Sequence, residues 1–296
     1  MLRHDHADVN GIRIHYASAG EGDLIVFLHG FPEFWYEWKN QLDEFGRDYR
    51  AVAPDMRGYN LSSKPADVEQ YQMRYLVEDM RALAEYLGYD KLNLVGHDWG
   101  GVVAWAFAVA HPDYLEKLII INAPHPGVFE RELRENPAQQ SASQYMLMFR
   151  SEQAEQILSA NNYAALVNAV MGEGLKQGHF TEEDRKAYVE AWSQPGALTG
   201  GLNYYRAARA GPPTGEGGPR LAADSSAGRS SLTVDVPTLV IWGEKDQALL
   251  TGNLEGLAEF VPDLTVRRIA DGTHWVVHEQ PALVNTYIRQ FIASES

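Results

Sequence analysis

Leu92-Asn93-Leu94-Val95-Gly96-His97-Asp98-Trp99-Gly100-Gly101, followed by Val102-Val103-Ala104-Trp105-Ala106-Phe107-Ala108-Val109-Ala110, is the stretch on which the fold turns. An apolar strand enters a tight small-x-acid-x-small turn, and an apolar helix leaves it and stops before Pro112. This is the pattern of a nucleophile elbow, a reactive side chain on a sharp strand-to-helix turn whose flanking glycines let strand and helix approach closely. Asp98 stands at the tip. It has two readings: a helix N-cap that accepts backbone N–H bonds, or a carboxylate nucleophile that attacks a strained or activated sp3 carbon and forms an alkyl ester for water to cleave.

Moving outward, Val9-Asn10-Gly11-Ile12 places an Asn-Gly turn between two short alternating segments, a β-hairpin signal. Leu24–Leu28, Arg50–Pro54, Leu92–His97, Leu118–Asn122, Thr238–Trp242 and Leu264–Ile269 read as strands, several of them continuously apolar as in a sheet buried on both faces. Helical patterns fall near Trp35–Phe45, Tyr71–Leu87 and Pro281–Ile292. Alternating strands and helices predict an α/β fold with a mostly parallel sheet and helices on both faces, its ligands at the C-terminal ends of the strands.

The alternation stops between about Pro126 and Ala210, where helical patterns replace it at Tyr145–Phe149, Glu152–Leu158, Tyr163–Met171 and after Thr181. An inserted helical lid over the strand ends is expected. Gly211 to Ser231 is rich in Gly, Pro and Ser and reads as a flexible linker. The expected division is therefore a core over 1–125, a lid with its linker over 126–232, and the rest of the core over 233–296.

Composition narrows the function classes. With 45% hydrophobic and 22% charged residues, the 296-residue chain has the balance of a soluble globular protein. Its longest apolar run, Gly100 to Ala110, falls well short of the roughly 20 residues of a membrane span. The absence of cysteine excludes disulfides, thiolate metal sites and thiol nucleophiles. A formal charge of −15 opposes nonspecific binding to nucleic acid or anionic membranes. Met1-Leu2-Arg3-His4-Asp5-His6 lacks the apolar segment of a secretory signal, so a cytoplasmic enzyme acting on a neutral small molecule is expected.

Three polar residues, Asp98, Asp246 and His274, fall just beyond strand ends in the order nucleophile, acid, histidine. His274 is the candidate base that activates water against an Asp98 ester, with Asp246 holding its tautomer. His274 alone would read as a loop histidine and Asp246 alone as a solvated turn residue; together with the elbow they read as a site. His29-Gly30-Phe31-Pro32 follows an earlier strand, and the backbone N–H groups of Phe31 and Trp99 are the candidate oxyanion donors. His97 reads as core and His278 as structural.

These segments together resemble the epoxide hydrolases of α/β-hydrolase fold over nearly the whole chain: His29-Gly30-Phe31-Pro32-Glu33 with Trp35 and Trp38, Arg57-Gly58-Tyr59 with Ser62, Gly96 to Gly101, and Gly272-Thr273-His274-Trp275. The resemblance implies an epoxide and water as substrates, a vicinal diol as product, and no cofactor or metal. It also implies two lid tyrosines that hold the epoxide oxygen. Leu202-Asn203-Tyr204-Tyr205-Arg206 is similar to the segment carrying one of them, Tyr205, and Gln144-Tyr145-Met146-Leu147-Met148-Phe149 points to Tyr145 as the other, although Arg150 stands where that family usually has Gln. Most of these motifs are shared with haloalkane dehalogenases, in which Trp99 matches a halide-binding position. Asn122 argues against the triad acid having moved to that strand end, and a fluoroacetate-type dehalogenase would have arginine where Trp99 stands. A ligand-binding member of the fold without turnover is the reading from another class.

Overall fold

The computed structural model describes residues 1–214 and 232–294. The described residues form an eight-stranded sheet from β1 (Arg3–Val9), β2 (Ile12–Ala19), β3 (Leu24–Leu28), β4 (Arg50–Pro54), β5 (Leu92–His97), β6 (Leu115–Ile121), β7 (Thr238–Gly243) and β8 (Leu264–Ile269), in the order β1-β2-β4-β3-β5-β6-β7-β8. The expected hairpin is present: β1 and β2 pair antiparallel around Asn10 and Gly11, both at positive φ as an Asn-Gly turn requires. β2 meets β4 antiparallel, and every pairing from β4 to β8 is parallel.

Alternate residues of the central strands serve different cores. Leu24, Val26 and Leu28 of β3 join the apolar cluster beneath α2 (Met73–Tyr86) and α3 (Trp99–Ala110), whereas Ile25 and Phe27 join the cluster beneath α1 (Lys39–Phe45) and the C-terminal helix Pro281–Ala293. The helix expected over Trp35–Phe45 is a 3-10 turn at Trp35–Trp38 followed by α1.

Between β6 and β7 run α4 (Pro126–Glu135), α5 (Pro137–Ala142), α6 (Tyr145–Arg150), α7 (Ala154–Gln177), α8 (Glu182–Ser193) and α9 (Ala197–Ala208), and no described residue there belongs to the sheet. Thr181 caps α8 reciprocally with Asp184, as a Thr-x-x-acid box does. The two helical patterns expected around residues 152–171 are present as two helical stretches of α7, separated where Ala160 leaves helical geometry and Asn161, Asn162 and Tyr163 take positive φ. The linker expected over Gly211–Ser231 lies outside the described residues from 215 onward. After β8, α10 (Val276–Glu279) and α11 (Pro281–Ala293) close the fold.

The inserted helices are fastened to the core by polar bonds. On α8, Tyr188 donates to Glu33, Trp192 Nε1 donates to the Pro32 carbonyl at 2.5 Å, and Asp184 accepts from Tyr36 at 3.0 Å and pairs with Lys39. On α9, Tyr204 donates to the Arg57 carbonyl at 2.9 Å. Arg57 is itself buried in a bidentate pair with Asp79, at 2.7 and 2.6 Å.

The strand-to-helix turn tolerates no added atoms. A Cβ at Gly100 would lie 2.1 Å from the Leu28 carbonyl oxygen, and one at Gly96 would lie 2.5 Å from that of Gly100. Gly100→Ala is expected to force β3 and α3 apart and destabilise the fold by about 1–3 kcal/mol, the cost of overpacking. An unchanged midpoint of urea unfolding would contradict this packing.

Candidate active site

Asp98 occupies the N-cap position of α3, but its side chain makes no capping bond. That removes the capping reading. Its backbone, at φ 49° and ψ −123°, lies where non-glycine residues are strained, and its carbonyl accepts the first helical bond from Val102 at 3.0 Å. The carboxylate is left to face the end of β3. There the Phe31 N–H donates to Asp98 Oδ1 at 2.8 Å, and Gly30 passes so close that a Cβ on it would sit 2.3 Å from the same oxygen.

Asp246 and His274 come to the same place from the ends of β7 and β8. His274 Nδ1 is 2.7 Å from Asp246 Oδ2, and His274 Nε2 is 3.7 Å from Asp98 Oδ2, beyond hydrogen-bond length. Asp246 is buried and held from all sides, by the backbone N–H groups of Ala248 and Leu249 at 2.8 and 2.9 Å and by Asn122 Nδ2 at 2.8 Å. Asn122, weighed in the sequence only as a position the acid had not taken, is thus a partner of the acid. Burial alone would raise the Asp246 pKa, but His274 and these donors hold it below the usual carboxylate value. Burial likewise pulls His274 down, yet the Asp246 charge and hydrogen bond, then Asp98, outweigh it and push the imidazole up to about 9.

Tyr145 on α6 and Tyr205 on α9 face the elbow, their ring centroids 6.5 Å apart. Burial first, and then the nearby Asp98 charge, push both phenols well above the ordinary value, so they remain protonated donors. Tyr205 also packs edge-on against Trp99 at 5.1 Å and Phe31 at 5.5 Å. The adjacent Tyr204 turns the other way and anchors α9. All seven residues singled out from the sequence therefore gather at the C-terminal edge of β3, β5 and β7 and the loop after β8.

Two hollows adjoin this cluster. One of about 20 Å³ touches Asp98 and is lined by Val102, Phe129, Met146, Tyr205 and Leu249. A larger cleft of about 660 Å³, between α7 and the loops after β7 and β8, reaches Asp246 and His274 but not Asp98. Among the described residues no group of His, Asp and Glu side chains is arranged to hold a metal ion, and no helix is long and apolar enough to cross a membrane.

Behind the cluster lie buried partners that the sequence did not disclose. His278, expected to be structural, is buried 3.2 Å from Glu33, which also accepts from Tyr188. His97, expected in the core, is wholly buried and donates through Nε2 to the His274 carbonyl at 2.8 Å.

Comparison with known proteins agrees with this geometry. Residues 23–281 match the alpha/beta hydrolase fold family. Epoxide hydrolase 4 of Mus musculus is 39% identical over 97% of this chain and 78% of its own length, and the AB hydrolase superfamily protein YfhM of Bacillus subtilis is 40% identical over 97% of both. Among solved structures, a Bacillus megaterium epoxide hydrolase in complex with an inhibitor superposes with a TM-score of 0.91 at 40% identity, covering 98% of this chain and all of its own. The chain belongs to the α/β hydrolase fold family and, within it, to the epoxide hydrolases.

The position of His274 between two carboxylates sets a titration that can be read directly. By nuclear magnetic resonance of histidine-labelled protein, His274 is expected to be protonated at neutral pH and to lose its proton near pH 9. In Asp246→Asn the largest raising influence is gone, so its pKa is expected to fall; a value unmoved by that substitution would contradict the assigned cause.

Proposed function

We propose that this protein adds water to an epoxide to give a vicinal diol through a covalent ester on Asp98. The observation that carries the reading is the placement of two protonated phenols, Tyr145 and Tyr205, across from a carboxylate that has one unengaged oxygen. Asp98 Oδ1 is occupied by the Phe31 N–H, which leaves Oδ2 for attack on an epoxide carbon. As the C–O bond breaks, the two phenols donate to the departing alkoxide, which has no other way to shed its charge.

Ester formation removes the negative charge of Asp98, one of the influences that raises His274. His274 then gives up its proton, which passes by way of the phenols to the alkoxide of the opened ring, and the neutral imidazole takes a proton from water as the hydroxide attacks Asp98 Cγ, while Asp246 steadies the imidazolium. The charge that develops on Oδ1 falls where the Phe31 N–H already points, with the Trp99 N–H as the second donor. Collapse releases the diol and restores the carboxylate. No step calls for a cofactor or metal.

A dehalogenase reading asks Trp99 to give its indole N–H to halide. Here that side chain is packed edge-on against Tyr205, with ring centroids 5.1 Å apart, and position 31 offers a hydrocarbon ring. The inserted helices α4 to α9 act as a lid on the core formed by the sheet and its flanking helices, and a cytoplasmic location accords with the composition.

Purified protein supplied with aryl and aliphatic epoxides and bromoalkanes is expected to yield diol and no bromide. The Tyr145→Phe/Tyr205→Phe protein is expected to lose at least about a hundredfold in diol formation, on the scale of general acid catalysis. Bromide with no diol, from both proteins, would make the enzyme a dehalogenase, and neither product would return the ligand-binding reading. His274→Gln is expected to accumulate a substrate-sized adduct on Asp98 by mass spectrometry; undiminished turnover by that variant would sink the mechanism.

A further inference from the structure

The scheme above makes no use of Glu37, a fully buried carboxyl in the 3-10 turn between β3 and α1. Its Oε1 lies 2.5 Å from Nδ1 of His97, the last residue of β5, which is equally buried. His97 Nε2 in turn lies 2.8 Å from the His274 carbonyl oxygen, and the two histidine rings are 4.7 Å apart.

The protons of this chain follow from what each atom can do. A carbonyl oxygen only accepts, so His97 Nε2 carries hydrogen. In a neutral imidazole Nδ1 is then a bare acceptor. Both Glu37 oxygens and His97 Nδ1 are buried with no hydrogen-bond partner when the acid is ionised, and a bare nitrogen facing a carboxylate at 2.5 Å, sealed from water, sets two lone pairs against each other, which a proton on one partner relieves. The surroundings decide which partner keeps it. Facing the pair are Glu33 and the Gly30 amide from the loop after β3, His29 at the end of that strand, Asp98 at the elbow, His274, and His278 from α10. Burial, and then the Glu33 charge, raise Glu37 well above the usual carboxylate value, while burial, and then His274, lower His97 to about 4. The proton stays with the acid.

We propose that Glu37 is a positioning residue for His274: as a neutral acid it donates to His97 Nδ1, fixes the Nε2–H tautomer, and so holds the His274 backbone with its imidazole toward Asp98. Glutamine can replace such an acid, because an amide N–H donates to Nδ1 as the O–H does. Leucine cannot, and leaves Nδ1 unpaired.

The kinetic test rests on the epoxide hydrolase reading, so a test without turnover accompanies it. Nitrogen-15 resonance of labelled histidine at neutral pH is expected to show His97 as the neutral Nε2–H tautomer in the wild type and in Glu37→Gln. A doubly protonated His97 in the wild type would overturn the proposal whether or not the protein hydrolyses any epoxide. In single-turnover kinetics, Glu37→Gln is expected to keep both steps within about twofold and to leave the pH profile in place. Glu37→Leu is expected to keep adduct formation but slow ester hydrolysis about tenfold, the equivalent of one buried hydrogen bond. A glutamine variant as impaired as the leucine one, or a folded leucine variant with wild-type hydrolysis, would refute the assignment. If the leucine variant does not fold, the glutamine variant and the resonance decide alone. If the wild type forms no diol, the proposed function fails and the resonance still judges the dyad.

Discussion

The structure depends on one strained residue. Asp98 sits at positive φ with a side chain, a conformation that costs on the order of 1–3 kcal/mol and persists only where its surroundings over-determine it. Gly96, Gly100 and Gly101 supply that surrounding by removing every Cβ from the crossing of strand and helix, and Ala123 at the next strand end closes against Gly101. The strain has a chemical return. A relaxed N-cap aspartate would spend its carboxylate on the helix it begins, whereas this one caps nothing and is left facing the Phe31 amide and His274.

Environment then separates two aspartates of the same intrinsic chemistry. Asp246 receives four hydrogen bonds, from Ala248, Leu249, Asn122 and His274, and lies almost wholly out of solvent. It is a fixed anion with no oxygen to lend. Asp98 receives one backbone bond and keeps an oxygen 3.7 Å from His274 Nε2, a distance no hydrogen bond spans. Saturation with donors leaves one carboxylate a fixed charge beside His274, and under-coordination leaves the other with a free oxygen.

The sequence made legible whatever depends on local pattern. Alternating apolar strands and helices gave the sheet, the Asn10-Gly11 turn gave the hairpin, and the strand ends marked Asp98, Asp246 and His274 because residues there converge whatever the loops do. Pairings between distant side chains left no such mark. Asn122 and Asp246 are 124 positions apart, Glu33 and His278 are 245 apart, and nothing in the periodicity of either segment aligns them. His97 was legible as buried but not as the support of the His274 carbonyl, since burial follows from strand pattern and a bonding partner follows from tertiary register. The break inside α7, by contrast, was legible: Asn161, Asn162 and Tyr163 at positive φ fall where the helical pattern of residues 152–158 ends and that from Tyr163 begins.

The hollow above Asp98, at about 20 Å³, is far smaller than an epoxide-bearing molecule, so occupancy requires some wall to yield. The walls are not equally free to do so. Moving α9 would break the Tyr204 bond to Arg57 and separate Gly200 from Gly58, whose backbones touch so closely that a Cβ at either would collide with the other. Moving α8 would break the bonds of Tyr188, Trp192 and Asp184 to the loop after β3. On α6 the contacts toward the site are edge-on packing of Phe149 and Tyr145 against Phe31 and Tyr205, which reforms in many arrangements, and its polar ties are the two long bonds from Arg150 to the carbonyls of Arg209 and Ala210, at 3.3 and 3.4 Å. The cost of admitting a ligand is therefore lowest where rings repack on the α6 side, and highest where α8 and α9 would give up buried polar bonds to the core.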